Sequence, residues 1–235
     1  MHAEYPRPDT RRFVMRRMGL AAVLLAGTVS LAHPVFAEDE PGPEASADAA
    51  SEAAAQPDLL ARARSLYEAS RGEECNGLPF DEPPAPDVHT IEFRPGYAGE
   101  DDPLEQATLI RFFCRAGAYN EIHVYYLSTQ LDGLRELSFA EPELDIRHED
   151  DDSEKPVEEM RIIGFTTRAL LVNSDYVAED FTITSDAKWR GLGDASSTGL
   201  WLFRDGNFTL VRYEVDATYD GEINPQVVLD YFTAP

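Results

Sequence analysis

The residues that could do chemistry are few and scattered along the chain. Arg190-Gly191-Leu192-Gly193-Asp194 joins two glycines to a cation and a carboxylate. A phosphate loop would need a Lys and a following helix, and neither is present. The segment reads instead as a tight connection between strands, with positive φ at a glycine. The run Glu149 to Asp152 with Glu154 offers carboxylates for calcium, but calcium wants six to eight oxygens around a defined turn. There is no Gly at the tight turn and no alternate-residue spacing, so this is a solvated loop. Asp216, Asp220 and Glu222 around Gly221 are no better. Cys75 and Cys114 have no partner at zinc-ligand spacing. Nucleophilic catalysis needs a Ser, Cys or Thr beside a positioned base, and no Gly-x-Ser-x-Gly occurs. His89 and His123 are the histidines inside predicted structured segments, and His123 reads as a surface residue. No catalytic residue, metal ligand or cofactor is therefore assigned. Tyr119 and Asn120, with Arg190 and Asp194, are the candidate binding residues, because loops on β scaffolds often carry function. Turn geometry and core packing compete as explanations for all four.

These residues sit on a pattern of short strands. A helix is expected from a cap at Asp58 to Arg71, with Leu59, Leu60, Ala63, Leu66 and Tyr67 on its apolar face and Gly72 as its stop. Strands follow over 88–93, 108–114, 119–127, 135–139, 144–147, 160–165, 169–172 and 181–184. In the third, Ile122, Val124 and Tyr126 share one face and Glu121, His123 and Tyr125 the other. Asn173-Ser174-Asp175 and Ser185-Asp186 read as turns. Asp205-Gly206 between two apolar runs predicts a hairpin with a type I′ turn, both central residues at φ > 0. If those two residues form the loop, Trp201 opposes Leu210 and Phe203 opposes Phe208 on one face. Leu200, Leu202, Val211, Tyr213 and Val215 then share the other, and a hairpin apolar on both sides must be covered on both. The tail after Asn224 suits either a helix or a last strand. The sum is a mostly β domain, an antiparallel meander forming a sandwich or barrel-like body with one N-terminal amphipathic helix.

The chain divides into three parts. Arg11, Arg12, Arg16 and Arg17 precede an apolar run over 19–31, and Val35-Phe36-Ala37 offers a small-residue cleavage site, so 1–37 reads as a signal peptide. The run is too short to cross a bilayer, so no membrane span is expected after cleavage. Residues 38–57 are Ala, Pro and acid with no large apolar side chain, and read as a disordered tether. Residues 58–235 fit one domain. The chain carries 20 basic and 44 acidic residues, a net −24. Cleavage at 37 would remove five basic and two acidic residues and leave a net near −27. Such a charge argues against nucleic acid and anionic lipid as partners, since like charge repels both. In an exported protein, two cysteines most simply form one disulfide, Cys75–Cys114.

Cys114-Arg115-Ala116-Gly117-Ala118-Tyr119-Asn120 resembles a motif of domain of unknown function family 1176, exported proteins found chiefly in proteobacteria. Leu171-Val172-Asn173, Phe181, the run Ala187 to Asp194 and the stretch from Trp201 through Asp205-Gly206 to Leu210 resemble later segments of that family. The likeness spans about residues 105–212, the C-terminal part of usually longer members. It implies no activity, substrate or cofactor. The family tends to place one Cys directly after the Gly-Asp pair and another just beyond the hairpin. Here Ala195 holds the first position and no Cys occurs over 217–221, so the backbone at Ala195 is expected close to that segment.

The expected function is a non-catalytic periplasmic or secreted module that binds a partner protein or an envelope component. One alternative is a hydrolase of envelope polymers using Asp194 with Arg190, which would need a pocket holding both and a carboxylate with raised pKa. The other is an acidic calcium-binding module.

Overall fold

The structure, a computed structural model, describes residues 44–75 and 84–231, with side chains from Pro57 onward. The expected signal peptide lies outside them. Helix α1 covers Glu44–Arg71, so it starts well before Asp58, and Asp58 lies inside it rather than capping it. The segment ahead of Pro57 is rich in Ala, the strongest helix former, and that propensity explains a helical backbone without a large apolar side chain. Leu59, Leu60, Ala63 and Tyr67 turn inward as the spacing predicts, whereas Leu66 is 43% exposed. No helix of the described residues is long and apolar enough to cross a membrane.

Twelve strands follow among the described residues. They are β1 (Asp87–Phe93), β2 (Glu105–Ala116), β3 (Glu121–Thr129), β4 (Gly133–Glu136), β5 (Phe139–His148), β6 (Val157–Arg168), β7 (Leu170–Val172), β8 (Ser174–Val177), β9 (Thr182–Lys188), β10 (Ser196–Arg204), β11 (Asn207–Asp216) and β12 (Gln226–Asp230). One sheet runs β1-β2-β3-β4, with β7 also against β3, and a second runs β12-β11-β10-β9-β8. β5 and β6 form a separate long hairpin. Every pairing is antiparallel. The result is a sandwich with no closed barrel.

Two cores hold the layers. Ile91, Leu109, Tyr125 and Leu127 of the first sheet meet Ile183, Trp201, Phe203 and Tyr213 of the second. The first sheet's other face, through Ile110, Phe112, Val124 and Tyr126, packs on Ala63, Leu59 and Tyr67 of α1. The Tyr67 ring stacks on Phe112 at 4.8 Å. A central sheet buried on both faces explains the near-continuous apolar run of β3. It also corrects His123, which is buried at 7% exposure instead of facing solvent.

The Cys75–Cys114 disulfide is present, joining the turn after α1 to β2 across 39 residues. Asp205 and Gly206 both take positive φ, 48° and 76°, as the type I′ turn requires. The derived register holds from Arg204↔Asn207 to Trp201↔Leu210. Beyond it Leu200 opposes Arg212, so Val211 is the extra residue of a bulge. One inserted residue reverses the alternation, which places Tyr213 and Val215 in the main core beside Trp201. Leu202, on the opposite face, is also fully buried, so both faces of the hairpin are covered. Ser174-Asp175 belongs to β8, not to a turn, and the tail resolves as β12.

Candidate functional site

Tyr119, Asn120, Arg190 and Asp194 are all used inside the protein, and all on one segment. The Tyr119 hydroxyl donates to the carbonyl of Trp189 at 3.2 Å, and the Asn120 amide donates to the carbonyl of Lys188 at 2.8 Å. Asn173 donates to the Asn120 Oδ1 and to the carbonyl of Asp186, both at 2.8 Å. The Tyr119 ring lies over Gly191, where an added Cβ would come within 3.3 Å of it. Arg190 donates from Nε to Asp194 Oδ1 at 2.7 Å and from Nη2 to Oδ2, and its guanidinium also donates to the carbonyl of Tyr219 at 2.8 Å. It stacks over the Tyr219 ring at 5.1 Å. Asp194 in turn accepts the Gly221 N–H at 2.8 Å. Gly193 has φ +76°, the positive angle predicted for this loop. The four residues therefore clamp the 186–194 segment between the β2–β3 turn and residues 219–221.

The clamp removes the carboxylate from acid–base work. Asp194 is 1% exposed. Its Arg190 partner, with help from the Gly221 N–H, holds its pKa well below the usual carboxylate range against the cost of burial. A general acid needs the opposite shift. Ser174 and His123 make a pair that sequence reading missed, with Nδ1 and Oγ 3.2 Å apart. The Tyr125 hydroxyl donates to the same Oγ at 3.0 Å. Burial, reinforced by the charge of Arg111, lowers the His123 pKa to about 4. Both side chains are buried, so the pair is a packed polar knot without substrate access.

What the clamp positions is Trp189. This residue lines a cleft of about 600 Å³ at the edge of the sandwich, where β6 hands over to β7. The floor consists of small residues brought side by side by register. Ser197 opposes Ala187, and Gly199 opposes Ser185. The Trp201 ring lies across Gly199, where an added Cβ would sit 2.3 Å from Cη2. The Trp189 indole N–H donates to Ser197 Oγ at 3.3 Å. Glu141 accepts from Arg168 and, at 3.1 Å, from the Tyr213 hydroxyl. Burial pushes the Tyr213 pKa up to about 12, so it stays a donor at neutral pH. Arg71 and Arg115 complete the charged lining. Tyr119 and Asn120 instead line a shallower hollow of about 330 Å³ that shares Arg115 and Ile122 with the cleft. Arg190 and Asp194 line neither. No single stretch announces the cleft, since its walls come from eight strands whose mutual register the sequence alone does not give.

The acidic loop after β5 is a short 3-10 turn over Glu149–Asp151, where Lys155 pairs with Asp150 at 2.6 Å. Among the described residues no group of three or more His, Cys, Asp or Glu side chains converges as a metal site would require. At the far end of the clamp, Ser196 pairs with Asp216. Ala195 and Ala217 are therefore the next residues of the two chains, and both are buried.

A family model described as a protein of unknown function (DUF1176) matches residues 40–226, reaching well ahead of the stretch that carried the likeness in the sequence. No curated protein and no solved structure matches the chain.

Proposed function

The chain belongs to the DUF1176 family, which assigns no activity, and from its own geometry we propose a non-catalytic, exported binding module whose ligand enters the cleft beside Trp189. One observation carries this reading. The cleft is roomy enough for a small ligand or an inserted side chain, yet its carboxylate and its Ser185 and Ser197 hydroxyls are already tied to other groups of the protein. Glu141 is held by Arg168 and Tyr213, and the Ser185 hydroxyl donates to the carbonyl of Val172 at 2.8 Å. A hydrolase would need a free carboxylate or an activated hydroxyl there. Asp194 supplies neither, being buried and bound to Arg190, and both residues lie outside the cleft. The four residues singled out in the sequence act in this reading as positioning residues, holding the backbone that presents Trp189.

Export to the periplasm fits a positively charged leader and a disulfide that persists in oxidising compartments. The test is a photocrosslinking residue placed at Thr167, on the exposed lip of the cleft, in cells that export the protein. Adducts are expected at Thr167 and not at Thr90, an exposed position on β1 that does not line the cleft. Equal labelling at both sites, or none at either, would remove the reading.

A further inference from the structure

The cleft is cationic in an acidic protein. The chain holds 44 acidic residues against 20 basic ones, yet the charged residues lining the cleft are three arginines and one glutamate, Glu141. The composition of the chain has about two acidic residues for every basic one. Glu141 is neutralised by Arg168, and Arg71 is occupied by Glu74 and Glu136. Arg115 differs from both. Among the described residues its guanidinium has no hydrogen-bond or ion-pair partner.

Its placement has a local cause. β2 carries a bulge at Cys114, so that Phe113 opposes His123 while Arg115 opposes Ile122. Without the extra residue Arg115 would lie opposite Glu121 and on the other face. Bulges re-aim side chains in this way. Ile122 in turn opposes Val172 on β7, and all three line the cleft. The disulfide anchors the bulged residue itself. Arg115 thus stands at one side of a cavity whose other walls include Leu170 and the Trp189 ring.

Resting on the reading of the cleft as a binding site, we propose that it takes a small organic anion, with a carboxylate or phosphate held by Arg115 and an apolar body laid between Trp189 and Leu170. A guanidinium presents planar paired donors that match either anion. An unoccupied cation beside an apolar wall selects for an amphipathic anion over a bare inorganic one.

Both tryptophans of the chain, Trp189 and Trp201, line the cleft, so intrinsic fluorescence reports on it directly. The full chain is titrated at constant ionic strength with benzoate, phenyl phosphate and, as a cation of similar size, benzylamine. A saturable change is expected with at least one anion and none with benzylamine. The tighter of the two anions identifies a carboxylate or a phosphate as the natural group. Arg115→Gln is expected to weaken the anion at least tenfold, and Arg115→Lys to weaken it less, with melting temperatures unchanged because the side chain is exposed. Anion binding unaffected by Arg115→Gln, or no saturable response to either anion, overturns the proposal. Binding of benzylamine alone also overturns it while leaving the cleft a binding site, and the Thr167 crosslink decides that wider reading separately.

Discussion

At the scale of single residues, most polar side chains flagged in the sequence prove to be ties within the fold. Asn120 and Asn173 each serve backbone groups on β9 and its neighbours, because a buried or half-buried amide is costly unless satisfied. His123 is the residue with a titration consequence. It sits on β3 between Ser174 of β8 and Arg111 of β2, whose charge is shared with Asp87 at 2.6 Å and Asp175 at 2.6 Å, and its ring meets the edge of Phe113. Burial, and then Arg111, lowers its pKa from 6.5 to about 4, with the two aspartates opposing. The unfolded chain takes up the proton near pH 6.5, and the folded chain refuses it until about 4. Stability is therefore complete above pH 6.5 and falls as pH drops towards 4, by on the order of 3 kcal/mol from this group. Urea denaturation at pH 7 and pH 4 should show His123→Gln losing that much less than the parent, and equal losses would contradict the assignment. Gly199 gives a second test. Trp201 is 2% exposed and cannot swing aside, so a Cβ placed 2.3 Å from its ring must displace packed atoms. Gly199→Ala should cost about 1–3 kcal/mol. Gly117→Ala, whose Cβ meets only a carbonyl oxygen at 3.7 Å, should cost far less in the same denaturation assay.

At the scale of elements, local signals were legible and insertions were not. The Asp205-Gly206 turn, the strands β1 to β3 and the apolar face of α1 could be read because each is written in adjacent residues. The bulge at Val211 could not, since Leu210 and Val211 are both apolar and both buried, so the apolar pattern accepts either register. β8 was hidden by its four-residue length and by Asn173, which takes φ 42° and reads as a turn. The cleft was hidden for the same reason at larger range. Ser185, Ala187, Ser197 and Gly199 are unremarkable until register sets them side by side. The cysteines were legible, and the element they secure can be tested. Their bridge ties the end of α1 to the bulge of β2, and a 39-residue loop corresponds to roughly 4 kcal/mol on the chain-entropy account. Replacing Cys75 and Cys114 together by Ala should remove about that much, seen as a lower denaturation midpoint, with part of the loss appearing as fraying of α1 in hydrogen exchange. The other end of the sandwich offers the converse experiment. Ala195 and Ala217 continue the Ser196–Asp216 pair, and opposed residues of antiparallel strands stand about 4.5–5.5 Å apart at Cα, within disulfide reach. Ala195→Cys with Ala217→Cys should oxidise to a second bridge without loss of fold. Persistence of two free thiols by mass spectrometry would show that the strand ends diverge.

At the scale of the whole molecule, the excess of acidic residues sets the response to ions. Two effects of salt oppose each other. Screening weakens the twelve ion pairs found among the described residues, but most involve partly exposed partners and contribute only about 0–1 kcal/mol each. Screening also relieves the self-repulsion of a chain at net −24. Many like charges lie within a Debye length of about 30 Å at 0.01 M salt and far fewer within about 8 Å at 0.15 M. Repulsion sums over many pairs, whereas attraction is confined to the few in contact, so relief wins and the melting temperature should rise between those salt concentrations. A fall would show that the ion pairs carry more stability than their exposure allows. The same scan separates a calcium site from general screening. Calcium chloride matched in ionic strength should give no saturating increment at low millimolar concentration, whereas a bound ion would stabilise by mass action and level off once its site is filled. The cleft inverts the molecular charge around Arg115, so the long-range field of the protein and the local field of its cavity act on an anion in opposite directions. The on-rate for a small anion should therefore increase with salt, while the lifetime of the complex, set by the guanidinium and the apolar wall, changes little. Stopped-flow tryptophan fluorescence with whichever of benzoate or phenyl phosphate binds resolves the two, and an on-rate that falls with salt would mean that the cleft, not the surface, governs the approach.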